Sequence, residues 1–308
     1  MILTFLGTGG AWILPELACD CMICKAMRRK GEQRTRTSLL LSAEKNLLVD
    51  CTPDAAVQLS RHGVKGLDAV LITHEHGDHF LGLDELYSFK RALPRGEYEP
   101  VAVYVTAKSW EAISLRFDYL VSQEVIRIVE VIPGREYQVG DFHFSAFKTS
   151  HGPFALGSVG YIIRWRDSSG DEKRLVYTSD FDGLPETPSD IHSPDILVIP
   201  ALWFNEPEKN IPHQMSFQRA IDFIKEWRPR KETFIVHIGD GDPVPGDPAN
   251  NMLKKRKPAG PLSSPVDGKP YPIPLTQEQW EEVVERVIRE LSLPFKVTVA
   301  HDGLSVEI

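Results

Sequence analysis

Short apolar runs bounded by turn residues recur along most of the chain, and each reads as a buried strand. Met1–Leu6 is the first, ending at Gly7, Gly9 and Gly10; Thr37–Leu41 and Asn46–Asp50 are spaced as a hairpin, and Val70–Thr73 follows. Val101–Thr106, Glu130–Ile132, Phe142–Lys148, Tyr161–Trp165, Arg174–Thr178, Ile196–Ile199 and Thr233–Val236 continue the series. Leu83–Leu93, Ser216–Trp227 and Thr276–Leu291 carry the period of helices instead. Strands with interspersed helices in both halves predict an α/β chain of two sheets covered by helices. The Gly-rich turn after the first strand does not signal a dinucleotide fold, because Gly7-Thr8-Gly9-Gly10 lacks the G-x-G-x-x-G spacing and runs toward Pro15 and a cysteine cluster.

Gly239–Pro274 has neither period. It is crowded with Pro and Gly and carries Lys254-Lys255-Arg256-Lys257. Such a stretch reads as an insertion at about 239–274, either a functional lid or a disordered segment. Its basic run is a solvated loop on one reading and an attractor for an anionic substrate on the other. No internal repeat is present.

Composition narrows the options. The 308 residues, 42% hydrophobic and 25% charged, suffice for a large core, and a single domain over 1–308 is the expected organisation. Lys plus Arg number 35 against 43 for Asp plus Glu, a net charge of −8 that gives no global attraction to nucleic acid or acidic membranes. No apolar run reaches membrane-spanning length, and Met1–Gly7 lacks the pattern of a signal peptide, so the expected location is the cytoplasm. Cys19, Cys21 and Cys24 form C-x-C-x-x-C, too closely spaced to staple a fold and better suited to a soft metal. Cys51 stands alone and reads as a small buried residue.

The strongest chemical signal is Thr73-His74-Glu75-His76-Gly77-Asp78-His79, directly after a buried strand. A turning loop there can send His74 and His76 to one point and Asp78 with His79 to a second. Two adjacent metal ions require that arrangement of imidazoles and carboxylate, with positions left for water. His151, Asp180 and His237 each follow a predicted strand, where loops converge on a common site.

H-x-H-x-D-H followed by a separate His, Asp and His resembles the metallo-β-lactamase superfamily, and the resemblance runs from the first strand to Ala300-His301-Asp302-Gly303-Leu304. Leu6-Gly7-Thr8-Gly9 with C-x-C-x-x-C narrows it toward the PhnP-like cyclic phosphodiesterases of phosphonate operons, and more loosely toward a pyrroloquinoline-quinone biosynthesis protein. The resemblance implies a four-layer αβ/βα sandwich. It implies two divalent ions (zinc, manganese or iron), one held by His74, His76 and His151, the other by Asp78, His79 and His237, with Asp180 bridging. Asp50 would orient the ligands from behind them. His213 would bind the phosphate or protonate the leaving oxygen, and Asp78 and His213 are the residues expected to act in the reaction. A structural zinc would be held by Cys19, Cys21, Cys24 and a fourth residue; where the family has a histidine, this chain has Asp240.

The implied reaction is hydrolysis of a phosphodiester, a small cyclic phosphate of a sugar or nucleotide, by a hydroxide carried on the two metals. The expected partner is that small anionic substrate; a homodimer is allowed, a membrane is not expected, and nucleic acid is disfavoured by the acidic balance. The rivals are a carboxylic ester, lactone or thioester hydrolase on the same metals and a non-catalytic metal-binding relative. A redox diiron role is disfavoured because His76 stands where such relatives carry a carboxylate.

Overall fold

The computed structural model describes residues 1–308. In chain order the first strands are β1 (Ile2–Gly7), β2 (Ser38–Ser42), β3 (Asn46–Val49), β4 (Ala69–Leu71), β5 (Val101–Val105) and β6 (Ile126–Glu130). The later ones are β7 (Glu136–Val139), β8 (Phe142–Lys148), β9 (Val159–Arg166), β10 (Glu172–Tyr177), β11 (Ile196–Pro200), β12 (Glu232–Val236), β13 (Val297–Val299) and β14 (Ser305–Glu307). The helices are α1 (Met22–Lys30), α2 (Ala55–Arg61), α3 (Gly77–Phe80), α4 (Tyr87–Ala92), α5 (Ala107–Ser122), α6 (Phe217–Trp227) and α7 (Gln277–Glu290).

The strands form two seven-stranded sheets, ordered β14-β1-β2-β3-β4-β5-β6 and β13-β12-β11-β10-β9-β8-β7. Pairing is antiparallel from β14 to β3 and parallel from β3 to β6. The second sheet repeats this plan, antiparallel from β7 to β10 and parallel from β10 to β13. Leu39 and Leu41 of β2 face the second sheet, where Phe144, Tyr161, Val198 and Phe234 meet them, while Leu40 faces outward. Both faces are covered, which is why Leu39-Leu40-Leu41 shows no polar alternation. Outside the first sheet lie Leu59 of α2 and Ile113, Phe117 and Leu120 of α5. Outside the second lie Ile221, Ile224 and Trp227 of α6 with Trp280, Val284 and Val287 of α7. Helix, sheet, sheet and helix give the expected four layers. Each fully buried Leu or Phe contributes roughly 1.5–3 kcal/mol of transfer free energy, so the sandwich is held mainly by these three apolar contacts.

Ser216 and Thr276 begin their helices as caps, accepting from the N–H groups of Arg219 and Gln279 at 3.1 and 3.4 Å. The predicted Leu83–Leu93 helix forms in two parts, a 3₁₀ run over Leu81–Leu86 and then α4. Gly82, in the first part, sits so close to the Thr52 carbonyl that a Cβ there would lie 1.9 Å from its oxygen. The predicted strand Glu130–Ile132 lies instead at Ile126–Glu130, since Ile132 is exposed and opens the Pro133-Gly134 turn. Helix α5, which the apolar pattern did not reveal, exposes Leu115 and Tyr119 on its outer face.

The 239–274 segment is neither a bare loop nor an open lid. It holds one 3₁₀ turn, Pro248–Asn251, and buried carboxylates fasten it to the rest of the fold. Asp247 accepts from Met22 N at 2.8 Å, and Asp242 accepts from Phe204 N and Asn205 N at 2.7 and 3.0 Å. No helix is long and apolar enough to cross a membrane.

Candidate metal centre

Strand ends place every residue of the first cluster. Asp50 directly follows β3, His237 directly follows β12, and Asp180 and His151 each lie three residues beyond β10 and β8. His74 and His76 lie in the turn after β4, and the single turn of α3 carries Asp78 and His79. The backbone there is forced: Asp50, Ser179, His213 and His237 all have positive φ, 61°, 56°, 53° and 56°. Such conformations cost about 1–3 kcal/mol each outside glycine and persist where surrounding structure demands them.

His74, His76 and His151 converge, with His76 Nδ1 and His151 Nε2 3.0 Å apart. A second group surrounds Asp180. Its Oδ2 lies 3.1 Å from His237 Nε2 and 3.4 Å from His79 Nε2, and Asp78 Oδ2 lies 3.2 Å from the same His79 nitrogen. Asp78, Asp180 and His237 form one ligand trio, and His74, His79 and Asp180 another, so Asp180 is common to both. Sequence expectation had grouped His79 with Asp78 and His237; the geometry also brings it to His74.

Apart from half-buried His76 and Asp78, these groups are buried, and several of their atoms are left short of partners. His74 Nε2, His79 Nε2, Asp180 Oδ1 and both ring nitrogens of His237 are sealed from solvent and make no hydrogen bond. An orphaned buried polar atom costs roughly 1–3 kcal/mol. Nitrogen and oxygen lone pairs aimed at common points are what two borderline or hard divalent cations need, so the residues fit the expected metals. Burial holds the His74 and His151 imidazoles below their usual range. Burial also opposes a charge on His79, but Asp78, Asp50 and Asp180 outweigh it and hold that imidazole well above its usual range. Asp180 is kept ionised despite burial by His237 and His79.

Behind these side chains, Asp50 Oδ2 lies 2.7 Å from His79 Nδ1, leaving Nε2 to face Asp180. Thr73 donates its hydroxyl and its N–H to Asp50 and receives the Ser179 hydroxyl at 2.8 Å. Gln214 Nε2 donates to Asp180 Oδ2 at 2.8 Å. His213 plays two parts: its carbonyl accepts from His151 Nδ1 at 2.8 Å, while its half-exposed ring is held at Nδ1 by Asp182, 2.6 Å away. Gly152 has a φ of 74° and lies against that ring, where a Cβ would come within 2.7 Å. Thr73, Ser179, Asp182 and Gln214 were not identified from the sequence. Asp182 was the most accessible of them, a second carboxylate two residues past Asp180.

Cys19, Cys21, Cys24 and Asp240 form a second buried cluster. Asp240 Oδ2 is 3.1 Å from Cys24 Sγ, 3.4 Å from Cys21 Sγ and 3.9 Å from Cys19 Sγ. Cys21 caps α1, and donation from the Cys24 thiol lowers its own thiol to about 6. Lys254 reaches into this cluster, contacting Asp240 Oδ2 and lying 3.0 Å from Cys19 Sγ and 2.8 Å from Glu16. Cys51 is separate and packs beneath the helices of the first sheet. The rest of the basic run is mostly consumed internally. Buried Lys255 donates to the carbonyls of Asp240 and Asp242 at 2.7 and 2.8 Å, and Lys257 pairs with Glu208 at 2.5 Å.

Comparison with known proteins bears on the family and the fold. Residues 45–238, more than half of the chain, match the model of a β-lactamase superfamily domain. An octanoyltransferase of Porphyromonas gingivalis is 32% identical over 252 residues, 78% of this chain and 46% of that protein. A ribonuclease Z of Archaeoglobus fulgidus is 28% identical over 192 residues, 60% of this chain and 55% of that protein. The chain thus spans about half the length of these curated relatives. Among solved structures, a diphosphatase of the PhnP family superposes with a TM-score of 0.70 at 23% identity, covering 100% of this chain and 97% of that one. At that identity the likeness speaks for the fold alone.

Proposed function

The chain belongs to the metallo-β-lactamase superfamily, and from that premise we propose that it hydrolyses a small phosphodiester, a cyclic phosphate of a sugar or nucleotide fitting best. The observation that carries the reading is the set of five buried, unpartnered ligand atoms on His74, His79, Asp180 and His237. Divalent cations held there would neutralise the phosphoryl oxygens and lower the pKa of water to about 7. His74, His76 and His151 would hold one, Asp78, His79 and His237 the other, with Asp180 between them.

The remaining work falls to the protein's own side chains. Asp50 fixes the His79 ring, and Gln214 fixes the Asp180 carboxylate. Asp182 holds His213 at Nδ1, which leaves Nε2 free to give a proton to a departing alkoxide or a hydrogen bond to a phosphoryl oxygen. Cys19, Cys21, Cys24 and Asp240 are proposed as a structural zinc site, a reading supported by their burial and mutual reach.

Similarity to ribonuclease Z favours RNA as a second reading of the phosphodiester. The net charge of −8 and the internal pairing of Lys254, Lys255 and Lys257 weigh against it. The test is a turnover panel after reconstitution with zinc, manganese or iron: cyclic and linear phosphodiesters, a structured RNA, a lactone and a thioester. Cyclic phosphodiesters should be cleaved fastest. Turnover confined to the lactone or thioester would replace this reading with a carboxylic one.

A further inference from the structure

Glu75 stands between His74 and His76, yet its carboxylate makes its bonds outside their cluster. Oε2 accepts the Ser109 hydroxyl at 2.7 Å, and Oε1 accepts the Gly157 N–H at 3.3 Å. Ser109 is fully buried in the first turn of α5, so the carboxylate sits at the positive end of a 16-residue helix. Thr106, the cap of that helix, donates to Gly157 O at 3.0 Å, so both polar groups of the Gly157 backbone are held. Only glycine allows this approach, since a Cβ at 157 would lie 2.2 Å from Ser109 Oγ and 2.6 Å from Ser109 N. Gly157 in turn ends the loop that carries His151, whose base is closed by Thr149 N donating to Ser158 O at 3.2 Å and by their paired hydroxyls, 2.6 Å apart.

The three imidazoles of that half of the centre are unequally braced. His74 Nδ1 lies 3.0 Å from the Thr73 hydroxyl, and the His213 carbonyl holds His151 Nδ1. His76 is half-buried, and the one hydrogen-bond partner of its ring is His151 itself. A ligand ring has to be held to within about 0.5 Å and 10–20° of its working position. For His76 no side chain does that directly, so its placement depends on the backbone from which it projects.

We propose that Glu75 is the positioning residue for His76: its carboxylate, docked between the start of α5 and Gly157, fixes the turn from which His76 projects and ties it to the loop that carries His151. The role rests on reading His74, His76 and His151 as metal ligands, not on the identity of the substrate. Each carboxylate oxygen is taken by a different element, one by a helix of the first sheet and one by a loop of the second. That divided engagement holds the histidines of the two sheets in register. The bonds matter here rather than the charge. An amide at this position can accept from the Gly157 N–H through its oxygen and donate to the Ser109 hydroxyl, which is acceptor as well as donor.

Cobalt(II) titration of the metal-free full chain, followed by absorbance, tests this on Glu75→Ala, Glu75→Gln and Ser109→Ala. Thiolate-to-cobalt absorption separates any ion at the cysteine cluster from those at the histidines. Glu75→Ala should weaken one of the two active-site ions by about 10–100-fold, the range for loss of an orienting partner, and leave the other near its wild-type affinity. Glu75→Gln should recover most of that loss, and Ser109→Ala, which removes one of the two bonds, should fall between. Hydrogen exchange at the Gly157 amide of the metal-free chain reads the tie itself: faster in Glu75→Ala and close to wild type in Glu75→Gln. Unchanged cobalt affinity in Glu75→Ala would overturn the proposal. So would a Glu75→Gln variant as weak as Glu75→Ala, which would make charge the active property, or an equal loss of both ions, which would mark general damage to the fold. If the wild-type chain takes up no cobalt at the histidines while Glu75 still governs Gly157 exchange, the ligand reading fails and the tie is structural only.

Discussion

Around Asp180 the fold buries ionisable groups and leaves their lone pairs without partners, whereas around Asp240 it supplies partners of its own. Only Ile238 and Gly239 separate His237 of the first cluster from Asp240 of the second. In the first, five ligand atoms are sealed and unbonded, and four residues take strained backbone conformations. In the second, no thiol or carboxylate oxygen is orphaned, and Lys254 and Lys255 surround Asp240 with positive charge. The free-energy cost at the first site, roughly 1–3 kcal/mol for each unmet group, has no return inside the chain. Its return must come from what binds there, which is the signature of a functional site. The second cluster joins α1 to the 239–274 segment through contacts of the chain's own, Cys21 and Cys24 to Asp240 and Met22 N to Asp247.

The largest effect expected from this contrast is at the shared carboxylate. Asp180→Ala should abolish hydrolysis and deplete both active-site metals, a greater loss than the 10–100-fold that removal of an orienting partner typically costs. The fold should survive, since Asp180 makes no contact that the sheets depend on. Metal analysis and a melting curve of the purified variant check both points. Two metals per chain with full activity would mean that Asp180 does not bridge.

Next comes His213, which borders the first cluster without being one of its ligands. His213→Ala should keep both metals, because the carbonyl that holds His151 remains. It should lose about 10²–10⁴-fold on substrates with alkoxide leaving groups, the usual contribution of a positioned acid. An activated aryl phosphodiester needs little protonation of its leaving group and should lose much less. Equal losses on both would instead assign the ring to phosphoryl-oxygen binding.

How far this contrast could be read in advance depended on whether a feature is local in the chain. His74, His76, Asp78 and His79 announce themselves because one turn carries all four. Asp50, His151, Asp180 and His237 could be found because each ends a predicted strand. Thr73, Ser179 and Gln214 could not, since their roles arise only when loops from both sheets meet. Lys254 read as part of a solvated or substrate-attracting run, and only the path of the 239–274 segment carries it to Cys19 and Asp240. Helix α5 was hidden for a related reason: Ile113, Phe117 and Leu120 mark its buried face, but exposed Leu115 and Tyr119 blur the period.

The second cluster should respond in stability rather than in rate. Cys21→Ser takes one thiol out of the cluster, while the serine hydroxyl can still cap α1. A site saturated a hundredfold above its dissociation constant contributes about 2.7 kcal/mol, worth roughly 5 °C of melting temperature in a chain of this size. Activity should fall far less than in Asp180→Ala. An unchanged melting temperature and unchanged total metal would mean the thiols hold no ion.

The smallest effect, and the one that decides what the second cluster is, belongs to Asp240. Its Oδ2 lies within reach of three sulfurs and the Lys254 ammonium at once, so it is either the fourth ligand or the counterion of a lysine. As a ligand it completes the tetrahedron that structural zinc requires. Asp240→Ala should then lower zinc content as Cys21→Ser does, with a smaller drop in melting temperature because all three thiols remain. As a counterion alone, its removal would strand Lys254 beside the thiols and leave zinc content unchanged, since a thiolate site gains from a nearby positive charge. Adding Lys254→Met to the Asp240→Ala background separates the two. If Asp240 is the ligand, the double variant stays zinc-poor. If it serves only Lys254, the double variant keeps its zinc and recovers most of the lost stability.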